Sequence, residues 1–301
     1  KAVKKLSQVD SPRAIQFLIY RLADWVLPVR QAALNGIDNY KTTNYIDSLI
    51  ENLPIFEWLQ KVERTDLSGI YKDIVDFIAS KNRAYVIDNF KKYPDKLRIL
   101  LARHISSSLR DNTQELKLFL TDKHFLIRNL AINHFDKLGQ VEIEQLLNDK
   151  SANVRLQTLY CLKDQNGFET TAKKFLADNS ATIRHFARFT LKQSINDFSK
   201  FYNDNLHESK QVVGSLSGLA ETEGKQYSDT VKSYLKDKKI RVKKTEVLAL
   251  WILDEESGYD FAFLNMDSQY LGLRNVIIEF LSHIPRQEVL TKAKSIYETG
   301  N

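Results

Sequence analysis

An Asp followed six residues later by a basic side chain, with an aliphatic residue just before the basic one, recurs along this chain. It occurs as Asp24–Val29–Arg30, Asp122–Ile127–Arg128, Asp149–Val154–Arg155, Asp178–Ile183–Arg184 and Asp237–Val242–Lys243. A pattern returning at about 30 residues marks one small unit stacked many times. With the basic residue as anchor, the positions are 30, 98, 128, 155, 184, 243 and 274. The gap of 59 between 184 and 243 predicts a degenerate unit anchored near Gly214. The gap of 68 between 30 and 98 predicts another near Lys72, with an insertion.

Each anchor opens an amphipathic helix. The preceding residues, Val29, Leu97, Ile127, Val154, Ile183, Val213, Val242 and Leu273, are all aliphatic. Seven residues after the anchors come Ile37, Ile105, Phe135, Leu162, Leu191, Glu221, Leu250 and Leu281, apolar but for Glu221. Positions eight apart return to one face of a 3.6-residue helix. The third residue after the anchor is usually small (Ala33, Ala131, Thr158, Ala187, Ser217), which lets neighbouring helices approach closely. A second apolar helix precedes each anchor, as in Ile15, Leu18, Ile19 and Leu22. The Asp sits in the turn between the two, where its carboxylate can accept from free backbone N–H groups. The anchor can reach the Asp of its own or a neighbouring unit, making a ladder of charge-assisted bonds.

This spacing resembles the HEAT-repeat family, including its short variant related to the repeats of phycobilin lyases. The hallmark pair is met by Asp24/Arg30, Asp122/Arg128, Asp149/Arg155, Asp178/Arg184 and Asp237/Lys243, and Pro12 fits the family's Pro near the start of the first helix. The unit at Arg98 has Lys92 in place of the Asp, and the one at Arg274 has Asp267 displaced by one. The resemblance implies an all-α fold, a right-handed α-solenoid of about nine stacked helix pairs over residues 1–301, on the order of 90 Å long. Residues 39–92 and 194–224 depart from the register. With Gly214, Gly218 and Gly224 in helical context, the second departure is expected to be a soft point, since a helical Gly costs about 1 kcal/mol against Ala.

Composition agrees with short-turned helices: 43% of residues are apolar and only ten are Gly and five Pro. The net charge of +6 permits an acidic partner without requiring one. A single cysteine, Cys161, excludes an internal disulfide framework and is expected to be a small buried hydrophobe beside Leu162. No apolar run reaches the length of a membrane-spanning helix, and no signal peptide is visible. The first residues already look helical and lack an initiator Met, so the chain reads as a piece of a longer protein, with the cytoplasm the favoured compartment.

No motif names a reaction. Gly214-Ser215-Leu216-Ser217-Gly218 has Leu at the centre, where a nucleophile elbow needs Ser, and Gly224-Lys225 lacks the rest of a phosphate-binding loop. The six His show no metal-ligand spacing, so neither a metal nor another cofactor is expected. An active site occurs once, whereas these Asp–Arg pairs recur, which assigns them to packing. The densest basic run is Lys232, Lys236, Lys238, Lys239, Arg241, Lys243 and Lys244, which acidic residues soon follow. Trp25 and Trp58 lie in or near predicted turns and are surface candidates.

Second helices generally line the concave side of such arrays. The first and fifth residues after each anchor then supply the candidate binding face: Gln31, Asn35, Arg103, Asn129, Asn133, Tyr160, His185, Phe189 and Lys244. This mixture of amides, aromatics and basic groups suits a protein or peptide segment better than bond-breaking. The expectation is a monomeric, non-catalytic scaffold, of the kind appended to a larger enzyme such as a zinc aminopeptidase, or to a membrane protein. Two alternatives follow from the repeat type: a nucleic-acid-binding protein like the HEAT-like DNA glycosylases, and a bilin lyase-like protein.

Overall fold

The computed structural model describes residues 2–63, 65–107, 113–208, 211–284 and 286–299. Among these the chain is helical throughout, with no strand and no helix long and apolar enough to cross a membrane. Its contacts gather into two compact units, 1–158 and 159–301. The first holds α1 (Ala2–Leu6), α2 (Arg13–Leu22), α3 (Leu27–Tyr40), α4 (Ile46–Glu51), α5 (Leu53–Leu59), α6 (Ser68–Val75), α7 (Arg83–Asn89), α8 (Asp95–Ser107), α9 (Thr113–Leu120), α10 (Phe125–Ile132) and α11 (Gln140–Leu147). The boundary falls within α12 (Ala152–Leu162). The second unit continues with α13 (Phe168–Lys173), α14 (Ala181–Leu191), α15 (Phe198–His207), α16 (Val212–Glu221), α17 (Ser228–Lys232), α18 (Ile240–Leu253), α19 (Glu255–Leu264), α20 (Leu271–Ser282) and α21 (Gln287–Thr299).

Within each unit the helices pair in sequence order. α2 packs on α3 and α9 on α10; α15 packs on α16, α17 on α18 and α19 on α20. The second helix of a pair also packs on that of the next, as α8 does on α10, α16 on α18, and α18 on α20. The apolar spacing explains this. Ile15, Leu18, Ile19 and Leu22 of α2 are fully buried, and so are Ala33 and Ile37 of α3. The small third residue lies at the inter-helix contact in Ala33, Ala131, Thr158 and Ala187, each with no exposed surface. Val29 and Val213, before their anchors, and Phe135 and Leu162, after theirs, are only half-buried.

The anchor is always the fourth residue of its helix: Arg30 in α3, Arg98 in α8, Arg128 in α10, Arg155 in α12, Arg184 in α14, Lys243 in α18 and Arg274 in α20. The same count in α16 gives Ser215, which corrects the register expected at Gly214. The small third residue then becomes Gly218. Two of the glycines there have a packing role. A Cβ on Gly214 would lie 1.8 Å from the Ala177 carbonyl oxygen, and one on Gly218 would lie 2.4 Å from the Tyr202 ring. Their missing side chains permit close helix contact, and the packing gained offsets their low helix propensity. Over 39–92, α6 runs on through a π-helical stretch, Asp76–Lys81, before α7, which breaks the 3.6-residue period and hides the pairing from the sequence. Lys72, the anchor expected there, is exposed on α6. Cys161 is exposed, not buried as expected, because it lies one position off the apolar stripe of α12.

Candidate functional site

The recurring turn has one geometry. The Asp carboxylate accepts from the amide two residues on, at the entrance of the next helix: Val26 N to Asp24 (3.0 Å), His124 N to Asp122 (2.7 Å), Ser151 N to Asp149 (2.7 Å), Ser180 N to Asp178 (2.7 Å) and Lys239 N to Asp237 (2.6 Å). The anchor closes the same turn, its Nη1 donating to the Asp main-chain carbonyl: Arg30 to Asp24 (3.0 Å), Arg128 to Asp122 (2.9 Å), Arg155 to Asp149 (2.6 Å) and Arg184 to Asp178 (2.7 Å). The rest of the guanidinium then reaches forward. Arg98 forks onto Asp122 through Nε (2.9 Å) and Nη2 (3.1 Å), and Arg128 onto Asp149 at 2.5 and 2.7 Å. One side chain thus locks its own turn and binds the next unit, which needs the planar fork of Arg. Burial alone would raise the Asp149 carboxyl, but the Arg128 fork and the Ser151 amide outweigh it and hold it below the usual range.

In the second unit, Arg184 and Arg188 both bind Glu221, the last residue of α16. Arg188 also donates to the Tyr202 hydroxyl at 3.0 Å. Counted from Ser215, Glu221 is the sixth residue after the anchor, not the acidic exception at the apolar seventh position that a register at Gly214 makes it. Burial raises its carboxyl, and the two guanidinium groups more than reverse that.

The nine candidate binding residues do not form one chemical cluster. In the first unit, Gln31 donates to Asn35 (3.0 Å), Asn129 donates to Asn153, and Arg103 and Asn133 are exposed. In the second, the Tyr160 ring meets Phe186 edge-on at 4.8 Å, His185 is exposed, Phe189 lies under Lys192, and half-buried Lys244 reaches over Gly272 at the start of α20. α18 and α20 pack together, and both present bare aliphatic side chains: Leu248, Ile252, Leu271 and Ile278 are 41–61% exposed. Trp25 is 78% exposed in its turn, and Trp58, on α5, is 39% exposed and meets the Tyr20 ring edge to face.

Several polar groups escaped the sequence pattern. Arg83 forks onto buried Glu115 at 2.6 and 2.7 Å. The hydroxyls of Tyr85 (2.9 Å) and Tyr93 (2.6 Å) both donate to Asp47. Tyr71 and His104 share a hydrogen bond of 2.8 Å, and burial depresses the imidazole pKa. These pairs join residues more than 30 positions apart without a common spacing, so no local signal announces them. Glu246 was visible in principle: it occupies the small third position after Lys243. It is 0% exposed, and neither carboxylate oxygen has a hydrogen-bond partner. Among the described residues, no three His, Cys, Asp or Glu side chains are grouped so as to hold a metal.

Neither a protein-family model nor a curated protein matches this chain. Among solved structures it is similar to the crystal structure of an engineered protein, at 11% identity over 99% of this chain and 87% of that one, with a TM-score of 0.27. A likeness that low carries no argument about fold or function.

Proposed function

We propose that this protein is a HEAT-type, right-handed array of helix pairs that acts as a non-catalytic scaffold and binds a protein or peptide segment along its second helices. The observation that carries the reading is the aliphatic strip on α18 and α20, where Leu248, Ile252, Leu271 and Ile278 stay exposed although the opposite faces of both helices fill the core. Exposed apolar surface on adjacent helices suits an apolar segment laid across them. The turn chemistry supports the same reading, since the recurring Arg and Asp groups are engaged in holding units together. Selection of a displayed random-peptide library on the chain tests it. Selected peptides should lose about tenfold or more in affinity on Leu248→Asp and on Ile278→Asp. Absence of binders, or binders indifferent to both substitutions, refutes it.

One observation favours nucleic acid as a second reading. Lys236, Lys238, Lys239 and Arg241 are exposed around the start of α18, while Lys232 of the same run is held by Asp229 (2.7 Å) and Asp254 (3.0 Å). A salt-dependent shift of duplex DNA, lost when Lys238 and Lys239 become Glu, supports that reading; no shift at low salt removes it.

A further inference from the structure

We propose that the segment bound at α20 is an apolar helix of a partner protein carrying an Asp or Glu, and that Arg274 takes its carboxylate. This rests on the reading above, that the exposed strip of α18 and α20 binds a protein segment, and it names the chemistry of that segment. Arg30, Arg98, Arg128, Arg155 and Arg184 all donate hydrogen bonds within the fold. Three of them reach forward to a carboxylate of the unit that follows: Arg98 to Asp122, Arg128 to Asp149 and Arg184 to Glu221. Arg274 holds the same place, the fourth residue of its helix. Its acid, Asp267, is displaced by one, and the Ser268 hydroxyl takes the Tyr270 amide instead (3.4 Å). Half-buried, the Arg274 guanidinium has no hydrogen-bond or ion-pair partner among the described residues.

The apolar surroundings of Arg274 are open in the same direction. In α8, α16 and α18, each packed on the second helix that follows, the fourth residue after the anchor is Ala102, Leu219 and Val247, all 0% exposed. In α20 it is Ile278, 54% exposed with α21 in place. Leu271, seven residues earlier on the same face, is 61% exposed, and Arg274 lies between the two. The side chains that elsewhere grip the following helix are therefore all present on α20 and hold nothing. Charge selects the occupant, since a planar guanidinium beside an aliphatic ridge complements a carboxylate on an apolar helix. A guanidinium already stripped of part of its water gains more from that bond than an exposed one.

The test takes the peptides selected from the displayed library on the whole chain, each made again with its acidic residue changed to the amide. Each binder should carry Asp or Glu, and the amide should cost about tenfold or more in affinity. Arg274→Gln should cost as much, the two losses should not add when combined, and Arg274→Lys should recover only part. The melting temperature of Arg274→Gln should equal that of the parent, because the side chain holds no other group. Binders that fall on Leu248→Asp and Ile278→Asp but ignore Arg274→Gln overturn this proposal and leave the binding strip standing. Absence of binders, or binders indifferent to all three substitutions, overturns both. Additive losses, or a lowered melting temperature of Arg274→Gln, also overturn the proposal. So does self-association of the chain in sedimentation velocity, lost on Ile278→Asp, because the occupant is then a second copy.

Discussion

Glu246 makes the stability of this protein fall as pH rises. Its side chain lies inside α18, 0% exposed, with both oxygens unbonded. Burial pushes its pKa from 4.5 up to about 9; Asp237 adds to the rise, while the nearby Leu235 amide and Lys243 oppose it. The folded chain therefore holds a proton that the unfolded chain releases throughout that window. Stability depends on pH as the difference in bound protons, unfolded minus folded, which is negative here. The contribution is complete below pH 4.5, declines by about 1.4 kcal/mol per pH unit, and is exhausted above the folded pKa. On the order of 6 kcal/mol is at stake across the window, of which about 3 kcal/mol has gone by pH 7. Glu246→Gln keeps the shape and removes the titration. Urea unfolding of parent and variant at pH 5, 6, 7 and 8, followed by circular dichroism, should show a variant roughly equal to the parent near pH 5 and about 3 kcal/mol or more stabler at pH 7 to 8. The difference between the two proteins cancels every other titrating group. A difference that stays constant from pH 5 to 8, or a parent that gains on the variant as pH rises, refutes the reasoning.

Arg128→Ala leaves the Asp149 carboxylate buried without its fork and should destabilise by about 3–5 kcal/mol in denaturant unfolding; Arg128→Lys should recover only part of that loss. Gly214→Ala forces a methyl into the Ala177 carbonyl and should lower the melting temperature by many degrees, whereas Gly69→Ala, with nothing within 4 Å, should change stability by no more than about 1 kcal/mol. His104 is held neutral by burial, so its contribution is full above 6.5 and is lost as pH falls toward its lowered folded value; His104→Gln should flatten the fall in urea midpoint between pH 7 and 5.

The helical class of this chain was legible from spacing alone. Residues eight apart share a helix face, and a turn that recurs in sequence recurs in space, so Asp122, Asp149 and Asp178 all accept an amide two residues on. Both hydrogen bonds that close each turn span six residues or fewer, which is why a one-dimensional pattern contains them. Where an element departs from that local rule, tertiary contact decided. The anchor of α16 became visible only when its helix start was known, and Gly214 and Gly218 owe their identity to Ala177 and Tyr202, distant in sequence. The choice of Asp122 as the partner of Arg98, and of Glu221 as that of Arg184, depends on which helix lies alongside. The exposure of Phe17, Tyr20, Leu248 and Ile278 is likewise a property of packing: apolar side chains read the same in sequence whether a neighbour covers them or not. Periodicity could therefore mark the faces these helices bury, while the surface left for a partner emerged only once every buried face had found its mate.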